Sequence, residues 1–257
     1  MKGILHGIVL SIQFLTRIPI PVTIPWEARS IKGALMSFVI VGYIIGGCLA
    51  TTLYIMENTF PPYATTFTLL SLWVFLTGGL HLDGLMDVVD ALGSNASLTK
   101  KHEIMKDPHV GSFSVVALFF HLGWKAIFLH VIITSNYLTS AQLALVLLFI
   151  PACSRLFALF LLYKGPLIKQ EGLAYEWKRY LSGKEVLIAS SFLFIPLLIQ
   201  PMMVGLLVSY LILFFVASYR IHTTFQGING DIVGAAIEGG ELWGLTVLSM
   251  FILFVTG

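Results

Sequence analysis

Apolar runs of roughly 15 to 24 residues recur along this chain, and about 20 such residues are needed to cross the hydrocarbon core of a bilayer. They fall near 33–56, 62–80, 113–133, 142–163, 186–200, 203–219 and 242–256. Only 11% of the 257 residues are charged, well below the about 25% usual in soluble domains. Water is therefore not the principal solvent. The pattern predicts an all-α, polytopic transmembrane helical bundle of about seven spans, six to eight when the 186–219 region is allowed to vary. In that region Pro196 and Pro201 mark either a tight turn between two short spans or a kinked hairpin.

The opening stretch, MKGILHGIVLSIQFLTRIPIPV, looks superficially like a signal peptide. Gln13 and Arg17 interrupt it and no small-x-small cleavage site follows, so it reads as a retained interfacial helix over 1–20, ending at Pro19 and Pro21. Gly42 and Gly46 stand at GxxxG spacing, which signals either a close helix contact or chance in a glycine-rich chain. Cys48 and Cys153 lie far apart inside apolar runs and read as packing residues.

Charge placement orients the bundle. The connections near 57–61, 134–141 and 200–202 carry no Lys or Arg, whereas the alternate segments carry nearly all of them. The positive-inside rule then puts the N-terminus and the loops 81–112, 164–185 and 220–241 in the cytoplasm, and the chain is expected to be a multi-pass protein of the cell (inner or cytoplasmic) membrane. Of thirteen acidic residues only Glu57 falls outside, so any chemistry faces the cytoplasm. A net charge of +2 is too small to indicate a nucleic-acid partner, and a homo-oligomer is left open.

The most informative stretch is GGLHLDGLMDVVDALGS, residues 78–94. Asp83, Asp87 and Asp90 are spaced i, i+4, i+7, which at about 100° per residue confines them to about 60° of one helical face. Carboxylates about 6 Å apart repel by about 3 kcal/mol at an effective dielectric near 20. No Lys or Arg is interleaved to relieve them. A divalent cation would, and an all-oxygen ligand set favours Mg²⁺, or Mn²⁺, completed by water and substrate phosphate. His81 just before the stripe is either structural or able to orient phosphate or relay a proton.

A second constellation, KHEIMKDPHVGSFS at 101–114, gathers Lys106, Asp107 and His109 in one loop: a cation, a ligand oxygen and a titratable base. Gly111 and Ser112 open the next run, where free amides suit an anion. A third, GINGDIVGAAIEGGELWG, supplies Asp231, Glu238 and Glu241, with five glycines from Gly227 to Gly240 that permit close backbone approach. Lys125 and Arg155 lie inside apolar runs, where a central charge costs about 3 kcal/mol. Both are expected to face the bundle interior and pair with acids or with substrate phosphate; His121 shares the face of Lys125. Lys169, Glu171, Lys178 and Arg179 in the 164–185 loop read as contacts for lipid headgroups or an anionic substrate.

These segments resemble the cobalamin (5′-phosphate) synthase family, the adenosylcobinamide-GDP ribazoletransferases. The resemblance rests on QFLTRIPIP at 13–21, the 78–94 stretch, IMKDPHVGSF at 104–113, CSR at 153–155 and NGDIVGAAIE at 229–238, in that order over most of the chain. Ala91, Ser114 and Asn229 depart from it without removing a carboxylate. It implies a single integral membrane catalytic domain over 1–257, with Mg²⁺ on Asp83, Asp87, Asp90 and Asp107. The substrates implied are adenosylcobinamide-GDP and α-ribazole or its 5′-phosphate, and GMP leaves. Asp90, His109 and His81 are candidates for the base, with Lys106 assisting, while Lys125, Arg155, Asp231 and Glu238 are candidates for substrate contact.

Two other classes share part of the pattern. CDP-alcohol phosphotransferases also start from Asp-Gly, but Ala-Arg is missing after Asp83-Gly84 and the later aspartates do not follow at the needed spacing. UbiA-like prenyltransferases expect two motifs that begin with Asn-Asp. An ion-coupled transporter would more often place polar groups near the midplane and show internal repeats; here the acids cluster on the cytoplasmic side and no convincing repeat is present.

Overall fold

The computed structural model describes residues 2–256, and among these every regular element is helical. The chain runs α1 (Lys2–Leu15), α2 (Ala28–Met36), α3 (Phe38–Met56), α4 (Pro62–Thr77), α5 (Leu80–Gly93), α6 (Leu98–Ile104) and α7 (Ser112–Thr134). It continues through α8 (Ser140–Lys164), α9 (Leu173–Lys178), α10 (Gly183–Ser191), α11 (Phe194–Ile199), α12 (Met202–Phe225) and α13 (Gly230–Thr256). Five helices, α3, α7, α8, α12 and α13, are long and apolar enough to cross a membrane, and a sixth follows if the bent pair α4–α5 is one broken span. This is a multi-pass helical membrane protein.

Local chemistry explains most boundaries. Pro61 and Pro62 open α4, where a missing amide hydrogen costs nothing. Reciprocal capping boxes start α8 (Thr139 with Gln142) and α10 (Ser182 with Glu185). Lys178 donates to the carbonyls of Leu162, Tyr163 and Gly165, so it caps the C-terminus of α8. Gly78 and Gly79 adopt left-handed φ values of 62° and 72°, and at that joint α5 turns 88° away from α4.

Two expectations are corrected. The span expected at 186–200 is two short helices, α10 and α11, interrupted at Phe192–Leu193, and neither can cross a bilayer alone. The segment 220–241 is not a loop. Helix α12 runs on to Phe225 and α13 begins at Gly230, leaving Gln226–Asn229 as the connection. Asn229 Oδ1 accepts the amide of Ile232 at 2.9 Å and caps α13, a job the hydroxyl of threonine could also do. Helix α1, over Lys2–Leu15, ends before Pro19, is too short to span a bilayer, and packs on α2.

The core forms where α8 lies against α3 and α13. The GxxxG pair is used there: a Cβ on Gly42 would strike the backbone of Ala152, and one on Gly46 the backbone of Leu147 and Leu148. The carbonyl of Leu147 is the one that Pro151, inside α8, leaves without its helical donor.

Charged residues in this interior neutralise one another. Lys125 Nζ of α7 donates to Glu238 Oε2 at 2.9 Å and Glu241 Oε2 at 2.5 Å of α13, while Arg155 of α8 pairs with the other oxygen of Glu241. His121 Nε2 meets Glu238 Oε2 at 2.9 Å, and Lys125 Nζ sits 4.5 Å from the Trp73 ring centroid of α4. Lys125, Arg155, Glu238 and Glu241 are essentially solvent-free, and His121 is buried beside them. The network therefore ties α4, α7, α8 and α13 together. Truncating one member leaves a buried charge uncompensated, so Glu241→Ala should destabilise the bundle by about 3–5 kcal/mol. Thermal unfolding in detergent checks this, and an unchanged midpoint would contradict a bracing role.

Candidate active site

The 88° turn at Gly78–Gly79 lays α5 against α13 and α7 at one end of the bundle. The approach to α13 is tight: a Cβ on Gly84 would come within 2.8 Å of the Asp231 carbonyl oxygen. That contact brings the first and third constellations together. The carboxylates of Asp231, Asp83 and Asp90 all repel that of Asp87, and Asp83 also acts on Asp231.

The second constellation closes over the same helix face. Asp83, Asp87, Asp90, Lys106, Asp107 and His109 line one cavity of about 170 Å³. Within it the acids differ in how they are occupied. Asp90 accepts the amide of Gly111 at 2.9 Å on one oxygen and that of Ser114 at 3.0 Å on the other. It thus caps the start of α7 from a different helix, and Gly111 is needed there because a Cβ would run into the carboxylate. Asp107 accepts from the backbone and ring of its own loop neighbour, His109, the ring Nδ1 lying 2.5 Å away. Those hydrogen bonds hold the Asp107 carboxyl below the usual carboxylate range. By contrast, none of the hydrogen bonds or ion pairs among the described residues involves the side chains of Asp83 or Asp87.

No three His, Cys, Asp or Glu side chains among the described residues converge into a ready-made cage for a metal ion. The donor set instead suits a hard, hydrated cation that takes one or two carboxylates and completes its shell with water and phosphate. Asp83 and Asp87 have the free oxygens for that, and Lys106 adds one positive charge to the same wall.

The remaining candidates sit elsewhere. His81 is buried beneath Asp83, with its Nδ1 lacking a protein partner. Lys125, Arg155 and Glu238 line neither this cavity nor the one beside it, because their charges are occupied with each other and with Glu241. Lys169 reaches the edge of the site: it pairs with Glu171 at 2.8 Å and is attracted by Asp231. Its loop is pinned there by hydrogen bonds from Ile168 N to Ile228 O and from Ile228 N to Pro166 O. The cap made by Asp90 escapes sequence reasoning, since nothing in the 78–94 stretch reports that residues 111–114 will fold onto it.

Similarity to known proteins extends over nearly the whole chain. The model of the family described as cobalamin-5-phosphate synthase matches residues 7–249. The adenosylcobinamide-GDP ribazoletransferase of Halalkalibacterium halodurans is 34% identical over the full length of both chains. Its namesake from Geobacillus kaustophilus is 33% identical over 95% of this chain and 96% of its own. That from Clostridioides difficile is 30% identical over 91% and 93%. No solved structure matches the chain. With a full-length family match and relatives aligned end to end, this chain belongs to the cobalamin-5-phosphate synthase family.

Proposed function

We infer that this chain transfers the cobinamide phosphate group of adenosylcobinamide-GDP to α-ribazole or α-ribazole 5′-phosphate, with release of GMP. The names of the full-length relatives support the reaction. The observation that carries it in the structure is the cavity where Asp83 and Asp87, free of protein partners, face Lys106, Asp107 and His109.

In this transfer the ribose 3′-hydroxyl forms a bond to the phosphorus nearer the corrinoid. The bond from that phosphorus to the bridging oxygen breaks, and GMP departs with the oxygen. The protein's part in such chemistry is mainly to position groups and neutralise charge. Mg²⁺, or Mn²⁺ in its place, when bound supplies positive charge to the diphosphate and to the leaving GMP. Asp83 and Asp87 would hold it through their free oxygens. Asp90, with both oxygens engaged by amides, keeps the start of α7 fixed against the stripe. Lys106 adds charge to the phosphate wall. His109 is the best-placed base: Asp107 fixes Nδ1, which leaves Nε2 to take the hydroxyl proton. Asp231 lines a neighbouring cavity together with Asp83, where it can contact the attacking nucleoside.

The basic residues support a cytoplasmic site in the inner membrane with a cytoplasmic N-terminus, because the helix ends that meet at the cavity border the Lys- and Arg-bearing segments.

Asp87→Asn removes a free ligand oxygen at a residue with no protein partner, so folding should be retained. GMP release by purified protein should fall by about 10²-fold or more. Normal release would contradict the assignment. EDTA should abolish turnover and added Mg²⁺ restore it, measured as GMP formed from adenosylcobinamide-GDP and α-ribazole phosphate; turnover unaffected by EDTA would remove the metal from the account.

A further inference from the structure

Asp83 also borders a second cavity, of about 160 Å³. Its walls come from separate helices: Phe14 of α1, Phe38 of α3, Leu162 of α8 and Trp177 of α9, with His81 and Asp231 beside Asp83. The aromatic groups form a fixed cluster. Trp177 is buried, with the Phe14 centroid 4.7 Å away, Phe38 5.5 Å away edge-on and Trp26 at 5.6 Å from behind. Two residues of this wall each carry a polar atom buried without a protein partner, the Trp177 indole N–H and His81 Nδ1. Buried polar atoms are nearly always paired in native proteins, so two orphans on residues of one cavity wall point to a ligand that supplies the missing partners.

We propose that this cavity is the pocket for the benzimidazole base of the ribazole, with Trp177, Phe14 and Phe38 holding the ring and Asp83 dividing it from the phosphate cavity. The proposal rests on the ribazoletransferase reading and deepens it. An apolar cavity of about 150 Å³ takes up one benzene ring, so the enclosed space here suits one flat aromatic group with its sugar at the mouth. A corrin is far too large for it. The benzimidazole of a ribazole is flat and apolar and keeps one acceptor ring nitrogen, which the indole N–H of Trp177 can meet. Because both cavities share Asp83, a base seated in one places its ribose beside the phosphorus held in the other.

Ala174, half-buried on the cavity wall in α9, offers the test. Ala174→Phe fills the void, and the KM for α-ribazole should rise about tenfold or more. The KM for adenosylcobinamide-GDP and the kcat at saturating ribazole should stay within about twofold of the starting protein. Trp177→Phe keeps the ring and removes the N–H alone, and it should raise the ribazole KM about fivefold with little change in kcat. Free dimethylbenzimidazole, which carries neither sugar nor phosphate, should bind the wild-type protein in equilibrium dialysis and compete with ribazole but not with adenosylcobinamide-GDP. Ala174→Phe should abolish that binding. An unchanged ribazole KM in Ala174→Phe, a raised KM for the corrinoid substrate instead, or no binding of the free base to wild type each overturns the pocket. If wild type releases no GMP from its two substrates, the ribazoletransferase reading fails by itself, and dialysis of the free base against both variants still decides the pocket.

Discussion

Two carboxylates without partners, set on one face of a helix at the end of an apolar bundle, are the constraint around which the rest of this protein is organised. In the bundle interior, by contrast, acids and bases are set against each other. Lys125 and Arg155 answer Glu238 and Glu241 in the bundle interior, and Asp90 spends both oxygens on the amides of Gly111 and Ser114. Asp83 and Asp87 have no equivalent, although Asp231 and Asp90 add to the negative charge around them. Repulsion of this kind is tolerable where a cation and an anionic substrate complete the set.

Several structural choices follow from keeping that face open and placed. The left-handed pair Gly78–Gly79 swings α5 across the end of the bundle. Gly84 lets the backbone of Asp231 come close, and Gly111 lets the cap from Asp90 form. Lys178 closes the end of α8, and the backbone pairing of Ile168 with Ile228 holds the following loop beside the site. The result is two neighbouring cavities that share Asp83, one polar and lined by acids, the other aromatic.

Much of this was legible in the sequence. Long apolar runs announced the helical membrane bundle, and the i, i+4, i+7 aspartates announced a one-faced acidic helix, because both signals are local and periodic. The 186–200 run misled because hydropathy does not register the break between α10 and α11. The 220–241 segment misled because its glycines and acids imitate a loop, whereas Glu238 and Glu241 are matched by cations from α7 and α8. What stayed hidden was tertiary: the cap that Asp90 provides across more than twenty residues of chain, the seating of Asp107 and His109 over the stripe, and an aromatic wall drawn from α1, α3 and α9. No periodicity within one segment records which other segments will meet it.

The central claim is that the open carboxylates of α5 bind a divalent ion that engages the substrate diphosphate. Mn²⁺ makes this directly visible, because it broadens the ³¹P resonances of a phosphate held next to it. With wild-type protein, adenosylcobinamide-GDP and Mn²⁺, both diphosphate resonances should broaden strongly, and the Asp83→Asn/Asp87→Asn double variant should lose the effect while keeping its fold. Equal broadening in the double variant, or none in the wild type, would contradict the claim.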